Sequence, residues 1–427
     1  MILENKNNSI IQYLSYLLLC LPLFLISGPF LTDLTVVIFS IFFLTKFQKF
    51  VFEKIFKYFL FAFIIFYISI NISSILSDNI IISLKSSFFY FRFIFFAIVV
   101  AILIQNFRKN FSFLKLFNTL FFTIITLLFI DSLFQFIYGN NLFGQSVGQL
   151  KGERISSVFG NELILGSFIS KIMFIFLGLF HSQNKLIQDK YYNLKIIYII
   201  SLCILVILIS GERAALVMSL LGILIYLVIN KNFKTILFVF SIIIIFFSIT
   251  NLNKDSKERY LNKYKVLYDT IFVYKQLGSQ THINHFKTAF NMYNDKKVFG
   301  HGIKSFRTKC KLEIYNDKLN SCSTHPHNYY IQVLASTGTL TFIGLSFLFL
   351  FLTQQLFICL KKSYTKNYSD KEKISYLISS FLAIFPLTTT GSFFNNWICA
   401  TIFLSFGFLL STYDVIFYKK ELVTKKV

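Results

Sequence analysis

Residues 196–229 read IIYIISLCILVILISGERAALVMSLLGILIYLVI, two apolar runs joined only by Ser210, Gly211, Glu212 and Arg213. Runs of this composition are typical of membrane helices, although both are short for that role. Because the polar link is so brief, the second run must fold straight back along the first. We therefore predict a tight helical hairpin whose turn reaches one face of the membrane.

Apolar runs of the same kind recur along the chain, which has 427 residues, is 55% hydrophobic and has a mean hydropathy of +0.65. A soluble domain of this length cannot bury so much apolar surface. We predict about twelve spans, and hence an all-α polytopic membrane protein. The predicted spans are residues 10–26, 30–44, 55–75, 88–104, 113–138, 163–180, 196–209, 214–229, 235–249, 340–360, 374–387 and 397–417.

The formal net charge of +23 would raise the question of nucleic-acid binding in a soluble protein. Here the lysines and arginines lie mostly in short links between apolar runs, where they hold a link on the cytoplasmic side. With the amino terminus inside, the short outer loops contain only Lys85, Lys151, Arg154 and Arg213. We therefore expect no nucleic-acid partner, and we place the long segment 251–324 outside the cytoplasm.

This topology divides the chain into five parts. Residues 1–250 hold spans one to nine, 251–326 a periplasmic loop domain, 327–339 a surface helix, 340–418 the last three spans and 419–427 a cytoplasmic tail. The first apolar run lacks a small-residue cleavage site and is predicted to be retained as a span. A loop domain of about 70 residues is expected to lean on the membrane helices for stability.

Charged residues within the predicted spans are costly and therefore informative. Asp33, Arg92, Asp131, Glu162 and Arg213 come from five spans and fall near the outer ends, whereas Lys171 lies mid-span. Charges at span ends can simply extend to the interface. Five on one face instead favour a polar chamber that opens outward beneath the basic loop, since a transporter would place charges nearer the midplane.

Five of the six histidines lie in or next to the outer loop, at positions 282, 285, 301, 325 and 327. His325 and His327 could bind a metal, but the segment lacks a carboxylate pair and zinc usually needs three or four ligands. A general base for a sugar hydroxyl is the sharper interpretation, because an imidazole titrates near neutral pH. By composition alone, His282, His285 and His301 are most simply solvated loop residues. Cys310 and Cys322 could form a disulfide there.

Residues 324–341, THPHNYYIQVLASTGTLT, resemble the signature of the O-antigen ligase and polymerase superfamily. That signature begins with a histidine followed by Asn, Ser or Gln. After nine further residues it has a glycine, and after two more it has Gly, Thr or Tyr. Here the four signature positions are His327, Asn328, Gly338 and Thr341. Residues 300–307, GHGIKSFR, resemble the family's Gly-x-Gly turn. Residues 210–216 and 154–166 resemble two further family segments in the same order.

The resemblance implies a GT-C-like fold and an inverting, metal-independent glycosyltransferase without a cofactor. The donor would be a polyprenyl-diphosphate-linked glycan such as an undecaprenyl diphosphate one, and the acceptor a hydroxyl of the lipid A core or of another glycan. His327 would be the base and Arg213 the principal cation for the leaving diphosphate. Six further residues are expected to bind substrate: Arg307, His282, Arg154, Lys171, Asn328 and His325. Five are expected to have structural roles: Gly338, Gly300, Gly302, Cys310 and Cys322.

One departure and three alternatives remain open. Relatives often carry an arginine where this chain has His282, so either His282 replaces it or Arg307 supplies the charge. The chain could be a ligase in lipopolysaccharide biosynthesis or a polymerase that extends a lipid-linked polysaccharide, since both share motif and chemistry. A flippase or transporter would not need the histidine motif. In each case, the expected location is the bacterial inner membrane with the site facing the periplasm.

Overall fold

The computed structural model describes residues 7–46, 50–52, 54–146, 154–231, 280–316, 321–365, 370–413 and 415–417, with a few single positions between 238 and 244. The helices there are α1 (Asn7–Ser27), α2 (Pro29–Lys46), α3 (Lys54–Ile75), α4 (Ile80–Ser87), α5 (Phe91–Phe107), α6 (Phe111–Tyr138), α7 (Leu165–Ile187), α8 (Tyr192–Ser210), α9 (Arg213–Asn230), α10 (Gln280–Asp295), α11 (Phe306–Lys309), α12 (Tyr329–Thr365), α13 (Lys371–Ala383) and α14 (Asn396–Leu410). Two 3₁₀ turns, Phe88–Tyr90 and Ser157–Phe159, and two strands, β1 (Phe50–Phe52) and β2 (Val415–Phe417), complete these elements.

The described part is an all-α polytopic membrane protein apart from the short antiparallel pair of β1 and β2. Eight of its helical runs are long and apolar enough to cross a membrane, and Phe59–Ile75 and Asn396–Leu410 are shorter apolar helices. Large side chains such as Phe61, Phe347 and Leu350 remain more than 60% exposed on the outer surface. Such an apolar exterior is unfavourable in water and suits a lipid environment.

Several span boundaries differ from the prediction. α7 continues past 180 to Ile187 because His181 stays buried, with its ring nitrogens bonded to the hydroxyls of Tyr192 (2.5 Å) and Tyr226 (2.9 Å). α14 ends at Leu410, so the run 397–417 is not one helix. Most of the predicted span 235–249, residues 251–279 and 317–320 of the loop, and the tail 419–427 lie outside the described residues.

The opening stretch forms the expected hairpin. α8 ends at Ser210, Gly211 adopts a left-handed conformation with φ of 71°, and α9 begins at Arg213. Both helices are longer than the apolar runs that predicted them. α7 lies at the centre of the bundle and packs against α6, α8, α9 and α13.

Close helix packing relies on small residues, as is common in membrane bundles. A Cβ atom on Gly178 of α7 would lie 2.2 Å from the ring of Tyr376 on α13. One turn further along α13, the hydroxyl of Ser379 lies 3.0 Å from that of Ser405 on α14. These contacts fix the helices that carry the outer loops.

The described part of the outer loop forms a small cap over the beginning of α12. Its apolar core contains Met292 of α10, Phe306 of α11, Cys310 and Tyr315, and it closes against Ala335 of α12. A disulfide joins Cys310 to Cys322 with a Cα–Cα distance of 5.1 Å. The cap therefore leans on the membrane helix, and the disulfide leads directly into the segment that carries His327.

Candidate active site

His327 stands just before α12 in an unusual backbone conformation, with φ of +61°. Its carbonyl accepts a hydrogen bond from the backbone N–H of Thr390 at 2.8 Å. The next residue, Asn328, caps α12 by accepting the N–H of Tyr330 at 3.0 Å and donates to the carbonyl of Pro386 at 2.6 Å. The loop between α13 and α14 thus holds His327 in place.

This arrangement alters two sequence-based expectations. Asn328, predicted to bind substrate, is only 8% exposed and uses both ends of its amide within the protein. The helix predicted for 327–339 begins only at Tyr329, so His327 lies on a turn and not on a helix. Asn328 therefore positions His327 and does not present its amide to a ligand.

Three other imidazoles lie around the ring of His327. The ring centroid of His325 lies 4.2 Å from that of His327, and those of His282 and His285 lie at 5.2 Å and 5.3 Å. His282 and His285 are three residues apart on α10, which places them on one helix face. We call these four side chains the imidazole cluster.

Sequence reasoning treated His285 as a solvated residue, but it is only 4% exposed and faces His327. Its i to i+3 spacing from His282 could have raised suspicion, but the sequence does not show which face of α10 is buried. His301 has a different role, because its Nε2 bonds to the carbonyl of Met292 at 2.8 Å inside the cap core.

The cluster favours neutral imidazoles. Burial, followed by the charges that His325, His282 and His285 carry when protonated, lowers the pKa of His327 to about 4. Burial also lowers the pKa of His285, with a smaller contribution from His282. At neutral pH, His327 is therefore unprotonated and has a nitrogen lone pair that can accept a proton.

Three guanidinium groups flank the cluster. Burial lowers the pKa of His282, and the charges of Arg154 and Arg213 lower it further, so both arginines lie within electrostatic range of that ring. Burial is likewise the main cause of the lowered pKa of His325, and the charge of Arg307 on α11 lowers it further. The structure thus brings the predicted arginines within electrostatic range of one cluster.

Next to Arg213 in sequence lies a further residue, Glu212, that the sequence analysis did not identify as part of the site. Glu212 precedes α9, is 7% exposed and accepts the backbone N–H groups of Gly166 (2.7 Å) and Ser167 (3.2 Å) at the beginning of α7. Its carboxylate lies within electrostatic range of Lys171, whose carbonyl accepts the hydroxyl of Ser379 at 2.9 Å. Lys171 therefore interacts electrostatically with Glu212.

Three glycines lock the cap onto α12. Gly338 interrupts α12 with φ of 75° and ψ of −173°, and a Cβ there would lie 2.1 Å from the carbonyl oxygen of Val298. Gly302, at φ +95°, donates its N–H to the carbonyl of Ser336 at 2.7 Å. Gly300 also has a positive φ, of 64°, and a Cβ there would meet the Ser336 backbone at 2.5 Å. Only glycine permits this backbone-to-backbone contact.

The predicted chamber of five outer charges is smaller than expected. Asp33 and Arg92 pair with each other at 2.8 Å. Asp131 accepts the backbone N–H of Leu142 at 2.8 Å and a hydrogen bond from Ser157. Glu162 is exposed in the turn before α7, so only Arg213 of the five reaches the imidazole cluster.

Within the described residues, no group of three or more His, Cys, Asp or Glu side chains is arranged to hold a metal ion. The site combines a neutral imidazole with the guanidinium groups of Arg154, Arg213 and Arg307. Such an arrangement can remove a proton from a hydroxyl and can stabilise an anionic leaving group.

These features define a candidate site that combines a proton acceptor with positive charges for an anionic group. Residues 198–346 match the family model described as O-Antigen ligase, a range that includes both Arg213 and His327. The match confirms the resemblance to the O-antigen ligase and polymerase superfamily, and it supports a function of the ligase or polymerase type. No curated protein matches the chain.

Proposed function

We propose that this protein transfers a glycan from a polyprenyl diphosphate carrier to an acceptor hydroxyl, as an O-antigen ligase does. The observation that carries the proposal is that His327 and three other imidazoles cluster within electrostatic range of Arg154, Arg213 and Arg307. A base and a set of cations are the two requirements of glycosyl transfer from a diphosphate.

His327 is proposed to take the proton of the acceptor hydroxyl as its oxygen attacks the anomeric carbon. The bond from that carbon to the phosphate oxygen breaks on the opposite face, which inverts the anomeric centre. The departing polyprenyl diphosphate gains negative charge, and Arg213 with Arg154 stabilises it through charge-assisted hydrogen bonds. Arg307, beside His325, is proposed to contact the glycan or the acceptor.

The low pKa of His327 fits an enzyme that is activated by its substrate. Without donor, the neighbouring imidazoles and burial keep the ring neutral. An arriving diphosphate adds negative charge beside the cluster, which raises the pKa of His327 towards its ordinary range and strengthens it as a base. Because guanidinium groups supply the positive charge, we propose that transfer requires no metal and persists in EDTA.

The reaction is proposed to occur at the periplasmic face of a bacterial inner membrane, with the lipid A core as acceptor. The test begins with deletion of the gene. The deletion strain is then complemented with the wild-type protein or with His327→Ala, and its glycans are separated as a ladder on a gel. A ligase leaves the lipid A core bare and lipid-linked polymer accumulated, and only the wild type restores the ladder. Single repeats attached to the core would indicate a polymerase, and glycan retained inside would indicate a flippase.

A further inference from the structure

Glu212 joins three segments of the site. It lies in the turn between α8 and α9, directly before Arg213, and its two carboxylate oxygens accept the N–H groups of Gly166 (2.7 Å) and Ser167 (3.2 Å). Those N–H groups belong to the first turn of α7, where they lack partners within their own helix. The side chain therefore fastens the Arg213 turn to a different helix.

The same turn also fixes Arg154. The N–H of Ile155 donates to the carbonyl of Ser210 at 3.2 Å, and Ile155 is fully buried. A Cβ on Gly166 would lie 2.5 Å from the Ser210 hydroxyl, so α7 rests directly on this turn. Arg154 and Arg213 consequently extend from a single rigid junction.

Glu212 also brings a negative charge close to cationic side chains. Arg154 and Lys171 both interact electrostatically with its carboxylate. Burial raises the pKa of Glu212 overall, and the two N–H groups and Arg154 offset only part of that rise. Both oxygens act as acceptors of backbone N–H groups at the positive end of a helix, which is the environment of an ionised carboxylate.

We propose that Glu212 is a positioning residue that sets the spacing of Arg154 and Arg213 and, as a resident counter-charge, limits their affinity for diphosphate so that the product can leave. The inference rests on the proposed function, because it assumes that the arginines bind a diphosphate. Without Glu212, the pocket would hold a dianion more tightly in the ground state and in the product complex. Binding that is equally strong in ground and transition states does not speed turnover.

The test compares wild type with Glu212→Gln in purified, lipid-reconstituted protein. Glutamine has the same length and retains one acceptor oxygen but removes the charge. We expect inorganic pyrophosphate, measured by calorimetry, to bind about fivefold more tightly, the order expected for one charge removed at close range in a partly screened site. We expect kcat to fall by about tenfold, with a lower donor KM and stronger inhibition by pyrophosphate.

Two further variants separate the charge from the hydrogen bonds. Glu162→Gln removes an equal charge from an exposed position just before α7 and should match wild type in every measurement. Glu212→Asp keeps the charge but is one methylene too short to reach both N–H groups. This variant should bind pyrophosphate like wild type but turn over more slowly. If Glu212→Gln fails to fold, Glu212→Asp provides the test of the positioning role.

The outcomes are distinct. Unchanged pyrophosphate affinity and kcat in Glu212→Gln would refute the role of Glu212 while leaving the proposed function intact. Weaker pyrophosphate binding that follows a loss of thermal stability would reduce Glu212 to a purely structural residue. Wild-type protein that binds no pyrophosphate and transfers no glycan would overturn the proposed function itself.

Discussion

At the scale of single residues, His327 illustrates how the fold sets the chemistry. A lone histidine in a polar loop would titrate near pH 6.5. The ring of His327 is partly buried among three other imidazoles, and this environment lowers its pKa to about 4. Its left-handed backbone is held by Thr390, which lies more than sixty positions away in sequence. Strained backbone of this kind is typical of functional sites.

His285 gives a prediction about pH. A base works only when unprotonated, so activity falls as the pH drops through the pKa of His327, which is about 4. His285→Asn removes an imidazole whose charge lowers that pKa, while a polar side chain remains. The acid limb of kcat/KM should therefore move to higher pH, towards 6.5. Lys287→Ala, on the exposed face of α10, is the control, and an unmoved acid limb in His285→Asn would contradict the assignment.

The sequence could identify some site residues but not others. His327 and Arg213 could be predicted because the histidine motif and the short hairpin turn are contiguous in sequence. His285 could not be assigned, because its neighbours come from a separate segment and the buried face of α10 depends on the cap. Glu212 was also missed, since its partners are backbone N–H groups of another helix, which no side-chain pattern reveals.

At the scale of elements, the predicted and observed boundaries of α12 differ. The sequence predicts a surface helix that ends at Gly338 before a span, and the structure shows one helical run with a sharp kink at that glycine. Apolar periodicity located most spans but not all of their ends. The polar loop between α13 and α14, which holds His327, was partly assigned to spans because its role depends on distant partners.

Two glycines on α12 provide a matched pair of substitutions. Gly338→Ala places a Cβ 2.1 Å from the Val298 carbonyl and forces alanine into a conformation that is nearly exclusive to glycine. We expect a loss of about 2 kcal/mol or more in the free energy of unfolding, seen as a lower thermal midpoint in detergent. Gly344→Ala has open space around its Cβ and should be neutral or slightly stabilising. Equal midpoints for the two variants would refute the proposed lock between the cap and α12.

At the scale of the whole molecule, the distribution of charge predicts how the chain is oriented in the membrane. Basic residues concentrate in the links that the topology assigns to the cytoplasm, such as the one between α7 and α8. The imidazole cluster and the cap then lie together at the opposite ends of the helices.

This orientation can be tested by labelling. A cysteine introduced at Lys287, exposed on α10, should react with a membrane-impermeant maleimide supplied from the periplasmic side. A cysteine introduced at Lys190, exposed between α7 and α8, should react only after the inner membrane is opened. Protein in which the four cysteines outside the disulfide are replaced gives the background. The reverse pattern of labelling would place the site in the cytoplasm and exclude a periplasmic transferase.

The central claim is that His327 is the base for glycan transfer, and the rate of transfer by purified protein tests it most directly. With a lipid-diphosphate-linked glycan and a hydroxyl acceptor in reconstituted membranes, His327→Ala should lower kcat by roughly 10² to 10⁴-fold. Donor KM should change little, because the arginines that hold the diphosphate remain. Full transfer by His327→Ala, in folded protein with wild-type pyrophosphate affinity, would contradict the account.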